Sequence, residues 1–481
     1  MAYYGFITTL NNVRPHPNAD RLQLGDCFGN TVCVNLDYYE GQVGLYLPSD
    51  GQVSVEFAEA NNLLRKKDDA GNNIGGYMDP TKRNVTAIKL RGEKSDGLFL
   101  PLECLSSFGD IRTLKVGDRI DVFNGHEICK KYIPRRNNRQ GTPTEGNRTR
   151  KKKVPIAPLF VEHADTEQLA YNLGAFKAGD EIEITLKMHG TSQRTAYLPV
   201  FKGYKRTLKD KIFRKEGTPI YDWGYVSGTR RTVLDNYDGG YYGSNKFREQ
   251  HSKFFEGKLW KGEEVYYEVV GFTHTGAPIM ASCDNKKLND KEFIKQYGKE
   301  TVFSYGCDAN GLTDTQLLKL EVNPNNEAEA RVILKPQSDI YVYRMTMTNE
   351  DGDVVEYTPD FMRYRCEQMG VKTVPVMAKF IIPHFKPLGM LSEEDKKVDI
   401  PGYRPFIDAG EYVKYHAEIH YDGPDPIGRT HVREGVVVRI LNRPKFCAYK
   451  YKNFEFRVLE GIVKVEAEAP DMEESEESAD V

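Results

Sequence analysis

The stretch EIEITLKMHGTSQRTAYL, residues 181–198, alternates apolar and polar side chains as far as Leu186 and then breaks at a lysine. Strict alternation marks a strand, because successive side chains point to opposite faces. The break is chemically pointed. Behind Lys187 come His189, Gly190, Thr191 and Ser192, a small polar turn with hydroxyls, amides and room for a ligand. A lysine at the end of a buried strand becomes a nucleophile when burial or nearby cations lower its pKa below the ordinary value of about 10.4. The surrounding sequence is strand-rich too. EEVYYEVVGF (263–272), DIYVYRMTMT (339–348), EGVVVRIL (434–441) and FEFRVLEG (454–461) read as strands, whereas DKEFIKQYG (290–298) and DFMRYRCEQMG (360–370) read as helices. Strands interleaved with helices, without a regular βαβ rhythm, predict an α+β domain built on antiparallel sheets.

Polar residues recur where these strands end. Glu268 lies on an apolar strand closing at Gly271, Tyr343 on another, and Glu434 opens a third. CAYKYKN (447–453) places Lys450 and Lys452 two apart, on one face of an extended strand. Two cations so placed repel each other unless an anion bridges them, and a nucleotide phosphate is such an anion. In that setting Tyr343 is suited to stack on a base, Glu268 to accept a ribose hydroxyl, and Glu434 to hold a divalent metal.

The rest of the chain sets limits. Its 481 residues suffice for two or three domains. No stretch approaches the roughly 18–20 apolar residues of a membrane helix, and MAYYGFITTLNNVRPHPNAD (1–20) lacks the pattern of a signal peptide. Eight cysteines without paired or zinc-type spacing predict reduced thiols and a cytoplasmic setting. Net charge is −3, but it is segregated: KKYIPRRNNRQGTPTEGNRTRKKK (130–153) is basic and EAEAPDMEESEESADV (466–481) acidic. The first is the domain boundary, a linker over 130–154 able to contact phosphates, and the second a disordered tail over 465–481. Residues 1–129 carry short strands such as TVCVNLDYY (31–39), QVGLYLP (42–48), VTAIKLRG (85–92) and DGLFLPL (96–102), which predict a small barrel or sandwich.

KMHGTS (187–192) resembles the first motif of the covalent nucleotidyltransferases, the superfamily of ATP-dependent ligases and messenger-RNA capping enzymes, in the Lys-x-His-Gly-Thr version found in RNA ligases. YYEVVG, YVYRMT, EGVVVR and KYK resemble the later motifs in the right order, and FSYGCDANG (303–311) is similar to a segment of the RNA-ligase branch. The resemblance covers roughly residues 155–460, and the domain is drawn at 155–464. It implies that Lys187 forms lysyl–AMP from ATP, that AMP passes to an RNA 5′-phosphate, and that a 3′-hydroxyl displaces it. It further implies phosphate neutralisation by Lys450 and Lys452, Mg²⁺ or Mn²⁺ at Glu434, an orienting role for His189, and a functional arginine at Arg230 or Arg231. Several RNA ligases carry an acid just before the nucleophile; here that residue is Leu186.

About 29 residues follow Lys452, so an OB-fold behind the fifth motif is not expected. Instead VRPHPNADRLQLGDCFGNTVCV (13–34) and IKLRGEKSDGLFLPL (88–102) resemble tRNA-binding OB-folds. The expected architecture is therefore an N-terminal OB-like β-barrel followed by a nucleotidyltransferase domain. RNA or an RNA-containing nicked duplex is the expected partner, with Arg91 and Lys94 as contacts and a monomer as the acting form. The competing readings are a GTP-dependent capping guanylyltransferase and a non-catalytic RNA-binding protein.

Overall fold

The computed structural model describes residues 3–67, 73–132, 154–163, 166–208, 217–230, 245–271, 338–385, 408–423 and 432–466, with a few shorter stretches between them. The greater part of the basic linker, the acidic tail, FSYGCDANG and Arg231 lie outside the described residues. The chain divides into two units, Met1–Arg136 with Phe454–Pro470, and Asn137–Asn453 with Asp471–Val481. Among the described residues no helix is long and apolar enough to cross a membrane.

In the first unit, strands Gly5–Thr9, Val43–Leu47, Leu98–Pro101 and Arg119–Ile120 form an antiparallel sheet. Asn11–Pro15, Gln23–Cys27 and Asn30–Val34 form an antiparallel meander. Among the described residues the strand pairings make separate sheets and not one closed barrel. Ile7, Leu45, Leu47, Val53, Phe57 and Ile128 are wholly buried in the core. The HPNAD turn is structural. Asn18 N–H donates to His16 Nδ1 at 3.0 Å, which leaves His16 Nε2–H to donate to the Leu90 carbonyl at 3.1 Å. Asn18 Nδ2 also donates to the Arg91 carbonyl at 3.0 Å. Together they clamp the hairpin Ala87–Leu90/Glu93–Asp96, which turns through left-handed Arg91 and Gly92.

FEFRVLEG, expected as a strand, is the start of a helix, Phe454–Glu466. Its first residues alternate, but the apolar set continues at Phe454, Val458, Ile462 and Val465, a helical spacing that a short window hides. The helix completes the first unit. Buried Glu455 takes Lys89 at 2.9 Å and Lys94 at 3.8 Å, and Arg457 meets Asp96 at 2.5 Å.

The second unit is α+β with mostly antiparallel strands, as the sequence predicts. One sheet contains β1 (Glu181–Leu186), β6 (Val376–Ile381), β7 (Gly435–Ile440) and β8 (Ala448–Lys452) in the order β8-β7-β1-β6, with Glu167–Gln168 beyond β8. The other contains β2 (Thr191–Lys205), β3 (Thr218–Gly228), β4 (Glu263–Gly271) and β5 (Ser338–Thr348) in the order β3-β2-β4-β5, with Val354–Glu356 beyond β5. Helices α1 (Lys246–Phe254) and α2 (Pro359–Met369) bury Phe247, Met362 and Cys366 against Val265, Tyr267, Val269 and Val342. At the far end of β4, Arg365 donates to both oxygens of fully buried Glu263, at 2.8 and 2.7 Å. Lys187–Gly190 is the link by which the chain leaves the first sheet and enters the second.

Candidate active site

That link brings Lys187 and His189 onto one carboxylate, which Lys452 of β8 also faces. Glu434 Oε1 lies 2.7 Å from Lys187 Nζ and 3.4 Å from Lys452 Nζ, and its Oε2 lies 3.6 Å from His189 Nδ1. Lys187 N–H donates to the Gly435 carbonyl, fixing the lysine's backbone beside the start of β7. Burial alone would push Glu434 up. The ammonium groups of Lys187 and Lys452, with His189 close by, outweigh it and hold the carboxyl well below the usual range. Glu434 is therefore ionised. Gly435, at φ +141°, follows because a Cβ there would strike the Tyr451 carbonyl at 2.1 Å.

Lys450 pairs in register with Val437 and lies two residues from Lys452 along β8. Between them Tyr451 turns to the opposite face and stacks on Tyr421 at 5.0 Å. The two lysines share a face, and their mutual repulsion is relieved in part by Glu434.

A cavity opens beside Lys187, lined by Thr185, Ser192, Glu268, Tyr343, Arg230 and His163, with apolar Met362, Val374, Val437 and Phe446 at its walls. Glu268 stands opposite Ser192 across β2 and β4, and Ser192 Oγ is 3.0 Å from Tyr343 OH. Arg230 follows β3, and its carbonyl accepts from His163 N–H at 3.1 Å. The structure thus brings Lys187, His189, Glu434 and Lys452 together and sets Glu268, Tyr343 and Arg230 around the adjoining cavity. Arg91 and Lys94 belong to the hairpin of the first unit, where both are exposed.

Gly190 has a different task from the one its position suggests. A Cβ there would meet the Val269 carbonyl at 2.5 Å and Val270 Cγ1 at 2.6 Å, so the residue is glycine because the turn presses on β4. Gly190→Ala should push the Lys187 turn outward and cost about 1–3 kcal/mol. Thermal denaturation should report the loss, and an unchanged Tm would contradict this packing role.

Two residues escape sequence reasoning. Arg248 on α1 is fully buried and donates to Thr191 Oγ1 at 2.7 Å and the Ser192 carbonyl at 3.0 Å, holding the start of β2 in place. His163 accepts from Arg344 Nη1 at 3.0 Å and packs on Tyr266, ring centroids 4.8 Å apart. Their partners lie 56 or more residues away, and no local pattern marks them.

No family model and no curated protein matches the chain at a significant level. Solved structures do. The chain aligns with the Naegleria gruberi RNA ligase with pyrophosphate at 15% identity and TM-score 0.51, over 97% of this chain and 99% of that one. A lysine-to-alanine mutant of that ligase with ATP and Mn gives 14% identity and TM-score 0.50, over 97% and 99%. An aspartate-to-alanine mutant without ligand gives 15% and 0.50, over 95% and 97%. At these identities the likeness establishes a shared fold across nearly the whole chain.

Proposed function

We propose that the chain is an ATP-dependent RNA ligase that joins a 3′-hydroxyl RNA end to a 5′-phosphate end, acting as an intracellular monomer at nicks in a duplex. The observation that carries this reading is Lys187 in contact with Glu434, which Lys452 also faces, at the edge of a cavity lined by Glu268, Tyr343 and Arg230. The shared fold adds support, since the neighbouring structures are RNA ligases, one of them with ATP and Mn. An intracellular setting accords with the described cysteines, all of which are free thiols.

In the first step Lys187 Nζ attacks the α-phosphorus of ATP. A P–N bond forms, the bond to the bridging oxygen breaks, and pyrophosphate leaves. Lys187 must first lose a proton, and Glu434, so strongly stabilised as the anion, is a poor resting place for it. Glu434 instead orients the amine while the proton passes to solvent. Lys450 and Lys452 neutralise the transferring phosphate, which stays anionic throughout. In the next steps AMP moves to the 5′-phosphate, and the 3′-hydroxyl oxygen displaces it to form the phosphodiester.

Among the described residues no three His, Cys, Asp or Glu side chains cluster as metal ligands. One ionised carboxylate fits the manner in which Mg²⁺ or Mn²⁺ is held, with phosphate oxygens and water completing the shell, and Glu434 is that group. A divalent ion sharing Glu434 would supply charge neutralisation and weaken the carboxylate's hold on the Lys187 ammonium. For the first unit we take the OB-like reading, with exposed Arg91 and Lys94 on its hairpin gripping the duplex and the basic segment 130–154 adding phosphate contacts.

Incubation with α-labelled ATP or GTP tests the donor. ATP should label the protein and GTP should not. Labelling by GTP alone would make it a capping-type guanylyltransferase, and labelling by neither would leave a binding protein.

A further inference from the structure

We infer that His163 is a specificity residue of the nucleotide cavity, a neutral imidazole whose Nε2–H donates to a ring-nitrogen acceptor of the purine base. The inference rests on the ligase reading, and it names which group reads the base. A guanidinium can only donate, so Arg344 Nη1 at 3.0 Å forces His163 Nδ1 to be the acceptor. The proton therefore sits on Nε2, which has no hydrogen-bond partner among the described residues. The tautomer is fixed by its neighbour.

The ring itself is also fixed. It packs against Tyr266 at 4.8 Å and faces Tyr343 at 6.0 Å, with the two planes 32° apart. Its N–H bonds the Arg230 carbonyl, so the backbone cannot swing away. Arg344 is anchored in turn by Glu356, at 3.1 and 2.9 Å, and lies over the Phe446 ring. Burial and the charges of Arg344, Arg230 and Arg194 keep the imidazole well below its ordinary pKa of 6.5, so it stays neutral where the enzyme works.

The aromatic and apolar part of the lining suits a base. His163 lines the cavity together with Tyr343, Met362, Val374 and Phe446; Lys187, Arg230, Arg363 and Arg439 line it as well, whereas Glu434, Lys450 and Lys452 do not. The position before the nucleophile offers little for recognition. Leu186 has no polar side-chain atom, and its N–H is spent on the Pro375 carbonyl at 2.9 Å. Of the polar groups that line the cavity, His163 presents a donor whose tautomer and ring position are both fixed by its neighbours.

Two substitutions separate the ring nitrogens. His163→Asn keeps an acceptor near the Nδ1 position for Arg344 and removes the Nε2 donor; His163→Gln places an amide N–H near Nε2. His163→Asn should raise the KM for ATP in self-adenylylation about tenfold, the weight of one hydrogen bond, with kcat and Tm nearly unchanged. His163→Gln should recover most of that loss. Among ATP analogues lacking N1, N3 or N7, one should bind wild type as weakly as ATP binds His163→Asn, and lose nothing further in that variant. Equal impairment of both variants with a lowered Tm, an unchanged KM in His163→Asn, or no such coupling for any analogue would overturn the inference while wild type is still labelled by ATP. Wild type that no nucleotide labels would overturn the ligase reading as well.

Discussion

Lys187→Ala should form no detectable covalent nucleotide adduct while still binding ATP and RNA. Lys452 also brings a primary amine to Glu434, but from β8 and not from the turn between the two sheets, so without Lys187 no P–N bond should form. The fold should survive, because Glu434 keeps Lys452 at 3.4 Å and His189 at 3.6 Å. The loss of one partner from a shared carboxylate should cost about 1–2 kcal/mol. Denaturing electrophoresis after incubation with α-labelled ATP reads the adduct, and filter binding reads RNA. An adduct persisting in the mutant would mean that a different residue is the nucleophile.

Glu434→Gln should slow adduct formation by about 10²–10³-fold, the range for loss of one preorganised electrostatic group. The amide has nearly the same shape, so the loss reports charge. Two ammonium groups would then face each other across a neutral side chain, and Lys187 would lose the contact that aims it. The carboxylate also links stability to pH. Its folded pKa is depressed, so its contribution is fully present above the ordinary carboxylate value of 4.5 and disappears as pH falls through the folded value. Glu434→Gln should flatten that acid limb of the stability curve. Denaturant melts from neutral pH downward would measure it, and parallel curves for the two proteins would refute the assignment.

Much of this site was legible because its chemistry sits where strands end. Lys187, Glu434, Lys450 and Lys452 interrupt apolar runs, and a charged residue there must meet either solvent or a partner. The antiparallel character of the second unit followed from period-two runs such as EIEITL and EGVVVRI. Other features depend on contacts between residues distant in the chain. Arg248 reaches Thr191 across 57 residues and His163 reaches Arg344 across 181, distances over which spacing carries no signal. Gly190 was legible as a tight spot but not as one created by β4. FEFRVLEG misled for a local reason: its alternating residues fit a strand in a short window, and the helical spacing shows only when the run is followed to Ile462 and Val465.

The helix Phe454–Glu466 has a consequence for how the chain is made. The first unit is discontinuous, and its last helix leaves the ribosome roughly 320 residues after its strands, a delay of about 16–64 s at ordinary rates of synthesis. During that time the nascent hairpin carries Lys89 without Glu455, and Asp96 without Arg457. A carboxylate destined for a buried ion pair must wait hydrated, so the first unit cannot close fully until translation has passed the lysines of β8. Final assembly of the N-terminal portion is thereby timed to follow synthesis of the residues around Lys187 and Glu434, a built-in order of manufacture.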